Sequence, residues 1–398
     1  MTPSETDTAE GRWRMLALLS VAQLLGMSLW FAGNAVAPAL AARWGLGGSE
    51  VAGLTTAVQL GFVVGTALMA VLNLADVIPA RLLFAVCAVS GAAANAGLLL
   101  ADGYAGALMS RVLAGACLAG VYPPAMKMAA TWFRARRGLA VGTVVGALTV
   151  GKALPYLLVA VPSLTDGAIV LSASGAALLA ALLVWLGYRD GPYVFPAPRF
   201  SWGLIGEVWR APRYRLALGG YLGHMAELYS YWTWIPAFIA ASAAFRGEEV
   251  GPGLTVLGFA TVAIGGVGCV WGGVAADRIG RARLTMIAMG ISGTCAVLVG
   301  LSFGATWWVV APLALVWGFF VIADSAQFSV LVTESVPAHA VGTALALQVS
   351  LGFFLTTVTI QLVPPVVALA GWGGAFGVLA AGPILGIVAM WRLMRRPS

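Results

Sequence analysis

Five charged residues lie inside long apolar runs of this sequence, where side chains with chemical roles are easiest to recognise. They are Arg111, Lys127, Lys152, Glu227 and Asp324. A charged side chain is costly inside a bilayer, so each is expected to face a cavity or a partner. Lys152 lies nearest the middle of its run, where a fixed cation suits an anionic solute or a carboxylate that releases it when protonated. A permanent salt bridge to Glu227 or Asp324 is the structural alternative.

The run that contains Arg111 and Lys127 carries cations at two depths. Arg111 either forms part of an anion route or braces the helix bundle, and the sequence leaves both open. Lys127 lies closer to the other end, where a lysine side chain snorkels to the membrane surface. Pro123 and Pro124 separate the two cations and predict a bend, because proline disrupts the helical hydrogen bonds.

A stripe of ionisable and aromatic residues marks another run. Tyr221, His224, Glu227 and Tyr231 recur at steps of three, three and four, so one helical face carries all four. His224 and Glu227 are spaced to share a hydrogen bond. Glu227 is therefore the leading candidate for proton coupling, with His224 tuning or relaying the proton. The alternative is a polar clamp between helices that does not titrate.

Other polar and small residues inside the runs have two interpretations each. Asp324 and Gln327 form a second cluster that either couples protons or clamps helices. Neutral amides and rings either contact a substrate or hold helices together, and the candidates for substrate contact are Gln23, Trp30, Asn34, Tyr122, Tyr156, Tyr231 and Gln348. Gly61-x-x-x-Gly65 and Gly142-x-x-x-Gly146 are close-packing motifs, and we expect both at an interface that rocks.

The composition excludes a soluble protein. Of 398 residues, 61% are hydrophobic and only 9% charged, whereas about a quarter of a soluble domain is charged. A spanning helix needs about 20 apolar residues, so the chain is predicted to be an all-α membrane protein of twelve spans. These are 14–39, 51–74, 82–101, 105–132, 138–161, 167–187, 214–240, 252–275, 284–304, 306–331, 341–367 and 374–391.

The spans divide the chain into two equal halves. The predicted units are an N-terminal tail (1–13), a six-helix bundle (14–187), a central loop (188–213), a second six-helix bundle (214–391) and a C-terminal tail (392–398). Within the central loop, Ser201 to Arg210 is predicted to form an amphipathic helix on the membrane surface. No sequence remains for a sizeable extramembrane domain.

The loops give the orientation and exclude several partners. Basic residues concentrate on one side of the spans, and only Arg43 and Arg246 fall on the other. The positive-inside rule therefore predicts that both termini and the central loop are cytoplasmic. Because the net charge of +7 sits in these short loops, it indicates lipid contact rather than nucleic acid.

The four cysteines show no disulfide or metal spacing, and the two histidines cannot assemble a metal centre, so no cofactor, metal or enzymatic activity is expected.

Three motifs resemble the major facilitator superfamily. The segment from Gly273 to Arg283 reads G-x-x-x-D-R-x-G-R-x-R, and residues 76–81 are a degraded counterpart that keeps Asp76 and Arg81. The stretch from Arg111 to Gly142 resembles the fourth and fifth helices of the same superfamily. The tetrapeptide A-V-G-T, at 140–143 and 340–343, marks the two halves as repeats. Within the superfamily the sequence looks closest to bacterial nitrate/nitrite, cyanate and oxalate porters.

This resemblance implies a fold, a function and a gate. The fold is two six-helix bundles around a central cavity lined by spans 1, 4, 7 and 10. The function is secondary transport of a small solute across a bacterial inner membrane by a monomer, with an organic or inorganic anion as cargo and a proton or another ion as coupling partner. A proton-coupled exporter of lipophilic compounds is the alternative, and a non-transporting membrane sensor belongs to a different class. The gate comprises Asp277, Arg278, Gly280 and Arg281 with Asp76 and Arg81, unless these arginines only set topology and touch lipid phosphate.

Overall fold

The computed structural model describes residues 9–133, 137–193 and 200–396, without the side chains of Ala75, Asp76 and Arg137. Throughout these residues the secondary structure is helical, with no strand. The predicted all-α membrane fold is confirmed.

Among the described residues, ten α-helices form the first half of the chain. They are α1 (Arg12–Met27), α2 (Leu29–Ala35), α3 (Ala37–Trp44), α4 (Gly48–Val71), α5 (Leu74–Val77), α6 (Ala80–Ala96), α7 (Tyr104–Leu118), α8 (Tyr122–Ala130), α9 (Arg137–Val159) and α10 (Asp166–Gly187).

Nine α-helices follow in the part of the remainder that the structure describes. They are α11 (Ile205–Arg210), α12 (Pro212–Phe245), α13 (Pro252–Ala263), α14 (Gly265–Ile279), α15 (Arg281–Leu301), α16 (Trp307–Ala323), α17 (Ser325–Thr333), α18 (Val341–Leu379) and α19 (Ala381–Met394).

Within the described residues, ten helical segments are long and apolar enough to cross a membrane. The last of them, Ala338–Met394, is 57 residues long and contains two predicted spans, which separate where Gly371 leaves the helical conformation at φ 67°. The 34-residue helix α12 falls outside the ten because its histidine, glutamate and tyrosines lower its hydropathy. Counting α12 and dividing the last segment gives the twelve predicted spans.

Several spans are interrupted near their middle. The first span breaks at Ser28 and Val36, the fourth before Tyr122, and the tenth at Asp324. Pro123 and Pro124 occupy the first turn of α8, where proline is tolerated because its missing N–H has no helical acceptor. The predicted bend in the fourth span is thus a complete break, and breaks of this kind expose backbone carbonyls where a helix borders a cavity.

The described helices of the two halves pack together mainly in three pairs, which are α9 with α13, α9 with α14 and α4 with α18. Helix α9 packs on α14, where a Cβ added at Gly146 would come within 2.8 Å of the carbonyl oxygen of Gly266. Helix α4 packs on α18, where Gln361 Nε2 donates to Thr56 Oγ1 at 3.2 Å. Gly146 therefore lies between the halves, as predicted.

The glycine pair in α4 lies elsewhere. A Cβ at Gly61 would collide with the carbonyl oxygen of Val112, and one at Gly65 would lie 2.5 Å from that of Ala116. Both carbonyls belong to α7 of the same bundle, so the prediction of a rocking interface at Gly61 and Gly65 is wrong. Glycine is required there because two helices of one bundle approach closely.

The central loop joins the halves along the end that carries the termini. A 3₁₀ turn at Trp202–Leu204 and α11 occupy the predicted helical segment. His339 Nε2 lies 3.0 Å from Glu207 Oε1, and the Ser201 backbone N–H donates to Thr343 Oγ1 at 3.0 Å. These contacts connect the loop to the start of α18.

Candidate substrate site

Lys152 lies in a cage of aromatic rings between the two halves. Its ammonium nitrogen is 3.9 Å from the ring centre of Trp30, 4.5 Å from that of Tyr229 and 4.9 Å from that of Trp232. It also donates to the Tyr229 hydroxyl at 2.5 Å. Lys152 and Trp30 come from the first half, and Tyr229 and Trp232 from α12 of the second. The side chain is 1% exposed, so ring faces have replaced water around a cation.

The described residues give Lys152 no carboxylate partner. The carboxylate of Glu227 accepts hydrogen bonds from Ser292 Oγ and Trp317 Nε1, both at 2.8 Å. Asp324 Oδ1 lies 2.9 Å from His224 Nδ1. Glu227 therefore has two hydrogen-bond donors and Asp324 lies beside His224, although neither Asp324 oxygen accepts a hydrogen bond from a described residue. The salt-bridge alternative for Lys152 is not formed.

A cavity of about 440 Å³ extends from Lys152 toward the end of the molecule that carries the termini. Lys152, Tyr229 and Trp232 lie at its deep end, and Asp277 and Arg281 at its mouth. Most of its wall is apolar, with Tyr122, Tyr221, Ser325 and Gln327 among the polar contributors. Residues of the fourth, seventh and tenth spans line it, as the family resemblance implied, together with residues of the fifth, eighth and eleventh. The first span, which the resemblance also placed there, contributes lining residues to a different cavity.

A second cavity of about 420 Å³ lies toward the opposite end. Asn34, Tyr156, Thr233 and Trp234 are among its lining residues. The Tyr156 hydroxyl lies 3.5 Å from the carbonyl oxygen of Trp232, whose ring belongs to the cage. Tyr156 and Trp232 thus form part of the partition between the two cavities.

Several buried polar groups lack a hydrogen-bond partner among the described residues. Trp30 Nε1 and Trp232 Nε1 are free donors within the cage. The side-chain amides of Gln23, Gln59 and Gln348 are fully buried, and neither the Nε2 nor the Oε1 atom of any of them has a hydrogen-bond partner. An unpaired buried polar group is costly, so groups of this kind mark places where a ligand or water completes the structure.

Arg111 lies inside the first bundle. Its guanidinium donates to Asn95 Oδ1 at 2.9 Å and to the carbonyl oxygens of Leu29 and Trp30 at 3.0 and 2.5 Å. Gly33 leaves room for it, since a Cβ there would lie 2.8 Å from Arg111 Nε. Arg111 is absent from the residues that line either cavity. These contacts match the bracing alternative and give no support to an anion route.

The stripe on α12 faces the tenth span. His224 meets Asp324 at the break between α16 and α17, and Glu227 meets Trp317 on α16. The Tyr231 hydroxyl lies 3.0 and 2.8 Å from the carbonyl oxygens of Thr261 and Ala314. The predicted hydrogen bond between His224 and Glu227 is not formed, because each side chain finds a partner on a neighbouring helix. Tyr231 correspondingly lies inside the second bundle and does not line either cavity.

The predicted gate residues occupy the cavity mouth and the bundle surface. Gly280 adopts φ +89° between α14 and α15, a conformation that favours glycine. Arg281 Nη1 lies 3.1 Å from Glu334 Oε1, whereas Asp277 and Arg278 are exposed. The Arg81 guanidinium lies 5.3 Å from the Trp185 ring centre on the first bundle. No hydrogen bond or ion pair joins these described side chains to the other half, and the side chain of Asp76 lies outside what the structure describes.

The other predicted residues divide between the two cavities. Tyr122 and Gln327 line the first cavity, and Asn34 and Tyr156 line the second. Asn34 Nδ2 also donates to Thr55 Oγ1.

Two members of the cage, Tyr229 and Trp232, are not among the residues that the sequence predicted to contact substrate. Their proximity to Glu227 in the sequence was the available signal. Phe62 and Phe353, whose ring centres lie 4.4 Å apart beside Trp30, had no such signal, because apolar aromatics are frequent throughout the chain.

This architecture is shared with proteins of known family. The sequence profile of the Major Facilitator Superfamily matches residues 18–359. The chain belongs to the major facilitator superfamily. A solved structure of a variant of the nucleoside transporter NupG is similar to it, with a TM-score of 0.74 and 12% sequence identity, covering 96% of this chain and all of that one. At this identity the likeness shows the shared fold alone. No curated protein matches the chain significantly.

Membership accounts for the coarse features of the molecule. It is an integral, multi-pass membrane protein of a transporter family. The two helical bundles and the cavity between them are the parts that the resemblance led us to expect.

Proposed function

We propose that this protein is a secondary active transporter of a small organic anion, with Lys152 as the substrate cation. The observation that carries the proposal is the buried ammonium of Lys152, which has ring faces and one phenol as partners but no carboxylate among the described residues. An anion that reached Lys152 from the cavity would meet a desolvated positive charge. Coulombic attraction is far stronger there than in water.

The surroundings of Lys152 favour an organic body on that anion. Trp30 and Trp232 each supply an unpaired N–H as well as a ring face, so they offer both a hydrogen bond and an apolar wall. Phe353 and Tyr122 extend the apolar lining of the cavity. A carboxylate attached to an apolar or aromatic group would use all of these features.

The cage gives the transport cycle a structural basis. Lys152 and Trp30 lie on one half and Tyr229 and Trp232 on the other, so contact with one cargo connects both halves at once. The first cavity reaches this site from the end that carries the termini, while Tyr156 and Trp232 separate it from the second. Rocking of the two halves about the site would exchange the side from which it is reached.

A proton gradient is the proposed energy source. His224 and Asp324 form a fully buried pair at the break between α16 and α17. The cavity-lining residues Tyr221, Ser325 and Gln327 are their neighbours in sequence. Glu227 is instead bonded to two neutral donors inside the second bundle, which suits a structural clamp. We therefore assign proton coupling to His224 and Asp324 rather than to Glu227.

We also propose that both termini lie in the cytoplasm of a bacterial cell, because the basic residues concentrate in the loops on their side of the spans.

Transport in proteoliposomes tests the assignment of Lys152. Uptake of aliphatic and aromatic monocarboxylates is compared with that of their neutral amides. The expected result is uptake of carboxylates by the wild type, loss in Lys152→Met and partial retention in Lys152→Arg, because arginine keeps the charge. Equal uptake of acids and amides, or full carboxylate uptake by Lys152→Met, would contradict the proposal.

The same assay addresses the second candidate function, export of lipophilic compounds. The largely apolar wall of the first cavity is the observation that favours it. Benzylammonium and larger lipophilic cations are included in the panel. Proton-driven transport of these cations, unchanged in Lys152→Met, would favour the exporter.

Coupling is tested separately from binding. Asp324→Asn is expected to retain exchange of labelled for unlabelled substrate but to lose accumulation on a pH gradient. Glu227→Gln serves as the matched variant and is expected to retain both activities if it folds. Loss of accumulation in Glu227→Gln alone would return the coupling role to Glu227.

A further inference from the structure

An apolar groove of about 450 Å³ runs along the outside of the first bundle between α6 and α10. Its lining residues are Leu82, Ala85, Val86, Val89 and Ser90 from α6 with Leu178, Ala181, Leu182 and Trp185 from α10. The α6 residues recur every three or four positions and so share one helical face. At a rise of about 1.5 Å per residue the groove is roughly 12 Å long.

Small residues form the floor of this groove and larger ones its walls. Ala85 and Ala181 are buried, whereas Val86, Leu178 and Leu182 are about half exposed. The main packing partners of α6 and α10 are other helices of the first bundle, so the groove lies on a face directed away from the second half. An apolar outer face of a membrane protein is expected to contact lipid. Its shape matches a flexible hydrocarbon chain.

One end of the groove carries a positive charge. The Arg81 guanidinium lies 5.3 Å from the ring centre of Trp185, and both residues stand beside the groove at the end of the molecule that carries the termini. No ion pair joins Arg81 to an acidic side chain that the structure describes. Tryptophan and arginine at this depth are typical of the membrane–water interface, where headgroups lie.

We propose that the groove between α6 and α10 binds a phospholipid with an anionic headgroup. One acyl chain lies in the groove from Leu82 to Ser90, and the headgroup phosphate meets Arg81, which Trp185 holds at the mouth. The charge of Arg81 decides between this occupant and a second copy of the chain. A homodimer through this face would place the two arginines close to its apolar seam without a described acid to pair with them.

Native mass spectrometry of the whole protein tests the site. Protein released from detergent is exposed to phosphatidylglycerol or phosphatidylcholine with identical acyl chains. The variants are Arg81→Gln and, as a matched control, Arg283→Gln. Arg283 is an exposed residue near the start of α15, the third span of the second half, and the charge change is the same. A groove-filling variant, Ser90→Leu, tests the acyl chain independently of the headgroup.

The proposal predicts more phosphatidylglycerol than phosphatidylcholine on the wild type. Arg81→Gln should reduce phosphatidylglycerol binding by about fivefold, which corresponds to about 1 kcal/mol for one basic residue at an anionic membrane surface. Arg283→Gln should have no such effect, and Ser90→Leu should reduce both lipids. Equal binding of the two lipids, equal losses in both arginine variants, or a dimer mass that is lost in Ser90→Leu would each overturn it.

Discussion

Replacement of Arg111 separates a structural from a transport role for this residue. Arg111→Met removes a buried charge and leaves Asn95 Oδ1 without its donor, while the carbonyls of Leu29 and Trp30 keep their positions in α2. One buried, unsatisfied acceptor costs about 1–3 kcal/mol. Arg111→Lys keeps the charge but replaces a planar fork that serves three acceptors with a compact ammonium. An imperfectly paired buried charge costs about 3–5 kcal/mol.

The expected order of stability is therefore wild type, then Arg111→Met, then Arg111→Lys. Thermal unfolding in detergent gives this order, with binding of the transported substrate measured on the protein that remains folded. Folded Arg111→Met should bind its substrate, with any loss traceable to movement of Trp30. If Arg111→Lys is as stable as the wild type, or if a fully stable Arg111→Met fails to bind, the bracing role is refuted.

Three further predictions follow from particular contacts. Gly61→Ala should destabilise the first bundle by about 1–3 kcal/mol through overpacking against Val112, whereas Gly175→Ala, whose Cβ would meet nothing within 4 Å, should be neutral; equal thermal stabilities would contradict this. Tyr229→Phe should tighten substrate binding about two- to tenfold, because the hydrogen bond that competes for Lys152 is worth about 0.5–1.5 kcal/mol, and weaker binding would show that the hydroxyl contacts cargo. In the loop after α12, hydrogen bonds from the Trp307 indole N–H and then from Arg246 lower the pKa of Glu248. The wild type should therefore be more stable than Glu248→Gln above the ordinary glutamate pKa, and this difference should vanish as pH falls through the lowered pKa. A stability difference that grows with acidification would contradict this.

The sequence predicted the spans well because their signal is local. Composition and run length identify apolar helices, and bilayer thickness fixes their number. The breaks within spans were only partly predictable. Pro123 and Pro124 predict the break in the fourth span, whereas no proline marks the break at Asp324. Gly61 and Gly146 belong to the same kind of motif but contact different helices. Only tertiary packing distinguishes them.

The candidate site was predictable in its charges but not in its pairings. Burial cost alone identified Lys152, Arg111, Glu227 and Asp324 as the important residues. Which of them meet depends on the relative rotation of α9, α12 and α16, and the periodicity of one helix does not contain that information. The i, i+3 spacing therefore suggested a bond between His224 and Glu227, although both side chains turn to neighbouring helices.

Lys152 also shows why a cavity residue is hard to interpret from its own helix. Its closest ring, that of Trp30, lies more than one hundred positions earlier in the chain, and its phenol partner lies in the other half. The cage exists because the halves bring three aromatic residues together around one cation. Each of those residues alone is unremarkable in a chain that is 10% aromatic.

Ligand-induced thermal stabilisation of the purified protein tests the role of Lys152 most directly. Matched carboxylates and amides are titrated against wild type, Lys152→Met and Lys152→Arg. A carboxylate at about 100 times its dissociation constant should stabilise the wild type by roughly 2.7 kcal/mol. This stabilisation should disappear in Lys152→Met and persist in part in Lys152→Arg, and amides should have little effect. Undiminished stabilisation of Lys152→Met by the same carboxylate would contradict Lys152 as the substrate cation.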